Sequence, residues 1–171
     1  MIGAKILLVD DEAVFTKNMS KLLANRGYVV TAVNSGDAAI QVMEEKDFDV
    51  VVLDLKMPGM DGLTTLKEIK NLGLFTETLL LTGHGSIDSA LEAIKLGAYD
   101  YLTKPCEIDE LVAKIEGAWE KKDVKAKKDM NEKIDRLVES PGDVFKLFPK
   151  RKKIKNVSSR LFLTYHAFML S

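Results

Sequence analysis

Five short apolar runs recur along the first part of the chain, and apolar and polar side chains barely alternate within them. They are Lys5 to Val9, Tyr28 to Val33, Val50 to Leu53, Thr78 to Leu81 and Tyr99 to Thr103. A run that is apolar on both faces is typical of a strand in a parallel sheet that helices cover on both sides. The pattern therefore predicts five covered strands with helices between them.

The segments between the runs carry stripes of apolar residues at helical spacing. Three stripes are regular: Phe15, Met19, Leu22 and Leu23; Ile87, Ala90, Leu91 and Ile94; and Ile108, Leu111, Val112, Ile115 and Trp119. We expect Asp11 to cap the first helix, Gly27 to end it and Gly97 to end the second. Two further helices, from about Ser35 to Glu45 and from about Gly62 to Asn71, are placed mainly by the alternation of strands and helices.

Five strands alternating with five helices predict an α/β fold, a doubly wound five-stranded parallel sheet with right-handed crossovers. Charge then separates this domain from the rest of the chain. Residues 1–120 have 11 basic and 20 acidic side chains, whereas residues 121–171 have 14 and 6, so a net charge of -9 is followed by +8. We therefore predict a domain over 1–120, a helical extension or linker over 121–140 and a basic then apolar tail over 141–171.

Cysteine content and hydropathy bear on location. Cys106 is the only cysteine, which excludes an intramolecular disulfide and favours a reducing compartment, so we expect a cytoplasmic protein. The apolar run before Asp10 is too short for a secretory signal, and residues 161–170 fall far short of the roughly 20 residues that a spanning helix needs. We expect no transmembrane segment.

Polar residues stand where four of the apolar runs end. Asp10 and Asp11 follow the first run, Asp54 the third, Thr82 the fourth and Lys104 the fifth. In doubly wound sheets the functional groups collect at the carboxyl ends of the strands, so these side chains should converge. Three neighbouring carboxylates need a compensating cation, and Mg²⁺ with oxygen ligands is the natural one. The residues predict a magnesium-dependent phosphate site in which Asp54 is the candidate nucleophile.

Four stretches carry a resemblance to a known family. They are "ILLVDDE" at Asp10 and Asp11, "VVLDLKMPGMDG" at Asp54, "LLLTGHG" at Thr82 and "GAYDYLTKP" ending at Lys104 and Pro105. Their order, with spacings of 44, 28 and 22 residues between Asp10, Asp54, Thr82 and Lys104, is highly specific. Residues 4–120 resemble the receiver domain of two-component response regulators, most of all the receivers of enhancer-binding transcriptional activators.

The resemblance implies a flavodoxin-like receiver fold and a role for each strand-end residue. Asp54 would accept a phosphoryl group from a sensor histidine kinase or a histidine phosphotransfer protein. Asp11 and Asp54 would bind Mg²⁺ directly, Asp10 through water and Lys56 through its backbone carbonyl. Thr82 and Lys104 would contact the phosphoryl group, and the Lys104–Pro105 bond would be cis.

The resemblance also implies a switch. Thr82 would move toward the phosphoryl group, Tyr101 would fill the vacated space, and the surface of the fourth helix, fifth strand and fifth helix would change to control a downstream protein. Lys56 and His84 would tune the phosphoryl lifetime. Such a chain is a signalling switch rather than an enzyme, although it assists its own phosphorylation and dephosphorylation.

The residues after 120 leave several interpretations open. Ala126, Met130, Ile134 and Leu137 continue an apolar stripe, so the last helix could run to about Ser140 and pair with a second copy, or stay a solvated linker. The basic tail suits nucleic acid, anionic lipid or the chain's own acidic domain. The tail could also be disordered, or be what is left of a truncated longer protein.

Two kinds of alternative function follow. The first is a truncated or stand-alone DNA-binding transcription regulator that uses the basic tail, which salt-dependent DNA binding would reveal. The second is an enzyme or a flavin-binding protein. A haloacid-dehalogenase-type phosphatase needs a second aspartate two residues after the first, where this chain has Glu12. A flavin-binding protein needs a hydroxyl-rich loop after the first strand, which is missing here.

Overall fold

The computed structural model describes residues 3–83 and 87–139, without the side chains of Ile87 and of residues 136–139. Within these ranges five strands alternate with five helices. The elements are β1 (Lys5–Val9), α1 (Ala13–Asn25), β2 (Val29–Val33), α2 (Gly36–Glu45), β3 (Val50–Leu53), α3 (Gly62–Asn71), β4 (Glu77–Thr82), α4 (Ile87–Lys95), β5 (Asp100–Thr103) and α5 (Ile108–Glu139). All strands pair in parallel in the order β2-β1-β3-β4-β5, which confirms the predicted α/β fold.

The central strands bury both of their faces. In β1, Ile6 and Leu8 face a core shared with residues of α1 and α5, whereas Leu7 and Val9 face a second core shared with α2, α3 and α4. Every residue of β3 and β4 is buried. The prediction of five fully covered strands is wrong for β2 and β5, because each lies at an edge of the sheet; Val29 in β2 is 56% exposed.

The helix ends follow local chemistry. Ser35 and Asp61 cap α2 and α3, since their side chains accept hydrogen bonds from the backbone N–H groups of Ala38 and Thr64. The predicted cap of α1 by Asp11 is wrong: the N-cap residue is Glu12, and its side chain makes no capping bond. The Glu12 N–H instead donates to Asp10 Oδ1 at 2.9 Å.

The predicted stops of α1 and α4 are confirmed. Gly27 and Gly97 adopt φ angles of 89° and 92°, in the left-handed region that favours glycine. Each follows the last residue of its helix by two positions.

Two of the predicted helix stripes are only partly buried. Leu22 in α1 is 41% exposed, and Leu91 and Ile94 in α4 are 54% and 45% exposed. Among the side chains of α4 that the structure describes, only Ala93 is completely buried, and its small size allows close packing on the core. Leu91 and Ile94, by contrast, remain on the surface of α4. In α5 the predicted stripe is confirmed, with Leu111 and Ile115 completely buried.

Ion pairs attach α5 to the amino-terminal edge of the sheet. Lys121 Nζ lies 3.2 Å from a carboxylate oxygen of Glu77, a buried residue at the start of β4. Lys122 pairs with Asp49, whose other carboxylate oxygen accepts from the Lys5 backbone N–H at 2.7 Å. These contacts connect α5 to the starts of three strands.

The helix α5 continues past residue 120 without a break, so the predicted helical extension is present. The predicted division of the chain at residues 120 and 140 remains a prediction. Residues Met1–Asn131 form one compact unit, and Glu132 begins a second. In the extension Val124, Met130 and Ile134 are 67%, 58% and 48% exposed. Leu137 and residues 141–171 lie outside the described side chains.

Among the described helices, none has both the length and the apolar character needed to cross a membrane.

Replacing the α3 cap should destabilise the fold in a pH-dependent way. Asp61→Ala should lower the free energy of unfolding by about 1 kcal/mol near neutral pH, because the Thr64 N–H loses its acceptor. That hydrogen bond holds the pKa of Asp61 below its usual value, so the stabilisation by the ionised carboxylate is complete above the unfolded-state pKa and is lost as the pH falls through the folded-state pKa. Urea unfolding near pH 7 and about pH 3 measures both effects.

Asp61→Asn is the control, since an asparagine oxygen caps equally well. It should match the parent near neutral pH. Equal urea midpoints for the parent and Asp61→Ala at both pH values would contradict this account of the cap.

Removing the α5 attachment should also destabilise the fold. Lys121→Met takes a hydrogen-bond donor from the buried Glu77 carboxylate, so we expect a loss of about 1–3 kcal/mol in the free energy of unfolding. Lys127→Met is the matched control, because its 2.7 Å pair with Asp123 lies on the exposed surface of the same helix and should contribute about 0.5 kcal/mol or less. Equal losses in the two variants would contradict a special role for the Lys121–Glu77 pair.

Candidate functional site

The carboxyl ends of four strands meet at one edge of the sheet. Backbone hydrogen bonds join them just beyond the strands: the Asp54 N–H donates to the Val9 carbonyl at 2.9 Å, and the Lys104 N–H donates to the Thr82 carbonyl at 2.9 Å. Backbone hydrogen bonds between neighbouring strands thus continue up to the residues that carry these side chains. The parallel register determines which of them become neighbours.

Asp10, Asp11 and Asp54 come together at this edge. One carboxylate oxygen from each lies within 4.8 Å of those of the other two. Asp10 and Asp54 are buried and Asp11 is exposed, so the cluster has a buried floor and an open side. Closely spaced carboxylate oxygens with room for water are the donor set that Mg²⁺ prefers, so these residues fit that ion.

Lys104 lies beside this cluster and contacts two carboxylates of the segment that joins β1 to α1. Its Nζ makes a hydrogen-bonded ion pair with Asp10 Oδ2 and a second one with Glu12 Oε1 at 3.1 Å. The same atom lies 4.2 Å from the centroid of the Phe15 ring, within the range of a cation–π contact. Sequence reasoning missed Glu12 and Phe15; the available signal was their position, directly after the acidic pair and in the first turn of α1.

The ionisation of this pair reflects both burial and hydrogen bonding. Burial raises the pKa of Asp10, and its hydrogen bonds from Lys104 and the Glu12 N–H offset only part of that rise. Burial lowers the pKa of Lys104, but its bonds to Asp10 and Glu12 outweigh burial and raise that pKa overall. Two carboxylates share one ammonium group. Lys104 therefore remains charged, and its positive charge balances only part of the negative charge of Asp10. Added positive charge at the cluster would stabilise the Asp10 carboxylate.

A compact loop follows Asp54. The carboxylate Oδ1 accepts from the Leu55 N–H at 2.9 Å, and the Gly62 N–H donates to the Leu55 carbonyl at 2.9 Å. A Cβ atom at Gly62 would lie 2.6 Å from the Leu55 Cα, so only glycine lets α3 begin this close to the strand. Gly59 adopts a φ of 79° within the same loop. An open cleft beside this loop is lined by Asp11, Leu55, Lys56, Met57, Pro58, Asp61, Leu63 and Ser89.

The two residues of the predicted switch lie on neighbouring strands. Thr82 is buried at the end of β4, with 1% exposure. Tyr101 is half-buried in β5, where it packs against the core shared with α2, α3 and α4. The predicted cis bond between Lys104 and Pro105 is confirmed. His84 lies outside the described residues, and the roles assigned to Thr82, Tyr101 and Lys56 stay predictions.

Comparisons with known proteins agree on one family. A family model described as the response regulator receiver domain matches residues 6–116. The transcriptional regulatory protein ZraR of Escherichia coli strain K12 is 43% identical over 113 residues, covering 66% of this chain and 26% of ZraR. The DNA-binding transcriptional regulator NtrC of the same strain is 37% identical over 113 residues, covering 66% of this chain and 24% of NtrC.

Solved structures give the same result. A response regulator receiver domain from Clostridium thermocellum is 36% identical with a TM-score of 0.67, and the match covers 71% of this chain and 98% of that one. The chain spans about a quarter of the length of the curated relatives it matches. The match of most of the described fold to the family model, together with these relatives, shows that the chain belongs to the response-regulator receiver-domain family.

Proposed function

We propose that this chain accepts a phosphoryl group on Asp54, from a sensor histidine kinase or a histidine phosphotransfer protein, and changes a protein-binding surface in response. The observation that carries this proposal is the cluster of Asp10, Asp11 and Asp54 at one sheet edge, with Lys104 paired to its buried member Asp10. Receiver-family membership supports it, since phosphorylation by a kinase is general to that family. The resulting protein is a switch rather than a turnover enzyme.

The acidic cluster would hold Mg²⁺. Asp11 and Asp54 would supply direct ligands, Asp10 would act through water, and the Lys56 carbonyl would complete the protein's share. When bound, the ion would neutralise charge on the phosphoryl oxygens. The exposed position of Asp11 suits a ligand that an ion reaches from solvent, whereas the buried Asp54 suits a group that must be held in one orientation.

The transfer step needs positioning more than covalent machinery. With Oδ1 of Asp54 accepting from the Leu55 N–H, Oδ2 would attack phosphorus. A bond forms between Oδ2 and phosphorus, the P–N bond of the donor phosphohistidine breaks, and the imidazole leaves with its electron pair and takes up a proton. Lys104 would pair with one phosphoryl oxygen, and the Thr82 hydroxyl would donate to another.

Phosphorylation would then shift an existing conformational equilibrium. Thr82 would move toward the phosphoryl group and Tyr101 would take the space that it leaves. Tyr101 lies in β5, and Thr82 pairs with Thr103 of the same strand. On α4, Leu91 and Ile94 already expose apolar area. A surface of this kind suits a protein partner.

Output and location follow from the rest of the chain. A second copy is one candidate partner, because Met130 and Ile134 expose an apolar stripe on α5. Relatives named as transcriptional regulators suggest transcription control as the output, and we propose the cytoplasm as the location. The DNA-binding alternative depends on residues 141–171, which lie outside the described residues.

Phosphorylation of Asp54 is tested by mass spectrometry. Incubation of the full chain with Mg²⁺ and acetyl phosphate should add one phosphoryl group, and Asp54→Asn should add none, because an amide oxygen is a poor nucleophile. Removing Mg²⁺ with a chelator should abolish the mass gain in the parent. Equal modification of the parent and Asp54→Asn would contradict the assignment of the acceptor.

The switch is tested by separating phosphorylation from its consequence. Tyr101→Ala should accept the phosphoryl group at the parent's level. It should lose the phosphorylation-dependent change in the amide hydrogen exchange of α4, because no aromatic ring can then fill the space that Thr82 leaves. Tyr101→Phe is the control and should keep that change. A parent-like exchange response in Tyr101→Ala would reject the coupling between Thr82 and Tyr101.

A further inference from the structure

We propose that Glu12 is a positioning residue for Lys104, holding its ammonium group beside the metal-binding carboxylates so that it competes less with the metal ion for Asp10. The inference rests on the proposed function, since it assumes the magnesium site. It concerns a residue that is not one of the three clustered carboxylates. Glu12 therefore acts on the site through Lys104 rather than as a ligand.

The contacts of Lys104 carry this inference. Its side chain is only 12% exposed and approaches three groups of the β1–α1 segment: Asp10, Glu12 and the ring of Phe15. Asp10 belongs to the acidic cluster, whereas Glu12 and Phe15 do not. The ammonium group thus has one partner inside the cluster and two outside it.

Like charges make the position of Lys104 matter. A divalent cation and an ammonium group that share the Asp10 carboxylate repel each other, and each weakens the hold of the other on it. A hydrogen bond from Lys104 to Glu12 at 3.1 Å divides the ammonium charge between two carboxylates. Part of the Asp10 charge then remains for the metal ion. Without Glu12, Lys104 would rest on Asp10 with its full charge.

Phe15 supports the same position from another side. An aromatic face attracts a cation through its negative quadrupole, and the Nζ–centroid distance of 4.2 Å is well within range. Phe15 is partly buried and packs against the core shared by α1 and α5. This ring and the Glu12 carboxylate together place the ammonium group near the site before a phosphoryl group arrives.

The experiment is a double-mutant cycle read out as Mg²⁺ affinity in the unphosphorylated full chain, measured by titration calorimetry. Glu12→Gln should weaken Mg²⁺ binding about two- to fivefold, the range of a partly exposed ion pair, since Glu12 is 65% exposed. In the Lys104→Met background the same change should have no effect beyond the control, because no ammonium group remains to be positioned. Glu107→Gln, which removes an exposed carboxylate from the loop after Lys104, is the control for loss of negative charge.

Each outcome decides the matter. An effect of Glu12→Gln that disappears in Lys104→Met supports positioning. An effect of equal size in both backgrounds overturns it, since Glu12 would then act on the ion through its own charge, and no effect in either background overturns it as well. Absence of Mg²⁺ binding in the parent chain would overturn the proposed metal site and this inference together, whereas parent binding with a failed cycle would leave the proposed function intact.

Discussion

The functional end of this protein depends on holding three carboxylates against their mutual repulsion. The parallel sheet makes this possible, because Asp10 and Asp54 extend strands whose register is set by buried backbone hydrogen bonds and two apolar cores. Repulsion between carboxylates within 4.8 Å of one another favours the binding of a cation between them. Core packing and strand pairing therefore outweigh the repulsion between the carboxylates and hold them together in a site that attracts positive charge.

Lys104 and Glu12 show how the chain partly compensates that charge. One ammonium group serves two carboxylates, so the cluster stays short of positive charge. If protein groups neutralised all of the carboxylate charge, little attraction for a metal ion would remain. If they neutralised none of it, repulsion between the carboxylates would destabilise the fold. The opposite edge of the sheet differs, since Glu77 and Asp49 pair with lysines of α5 there. That edge is suited to attaching a helix rather than to binding an ion.

Much of the fold and site could be predicted from the sequence because each rests on a local signal. The limits of α3 agree with the prediction, which rested mainly on the alternation of strands and helices, and the structure shows that Asp61 caps its start and that Gly62 allows its close approach to the strand. Packing that depends on tertiary geometry could not be predicted: apolar periodicity finds the stripe of α4, but not that Ala93 is buried while Leu91 and Ile94 are exposed. The contact of Glu12 with the site was not predicted for the same reason, because its partner Lys104 is 92 residues away in the chain.

The proposed function requires a single divalent-cation site at this sheet edge. Mn²⁺ prefers the same oxygen ligands as Mg²⁺, and its unpaired electrons broaden the NMR signals of nearby nuclei. In a titration of the full chain, a single site here should broaden the backbone amides at residues 10–12 and 54–56 first and most strongly, with much weaker broadening at Asp49 and Glu77 at the opposite end of the strands. Broadening centred on Asp49 or Glu77, or spread evenly over the acidic surface, would contradict it.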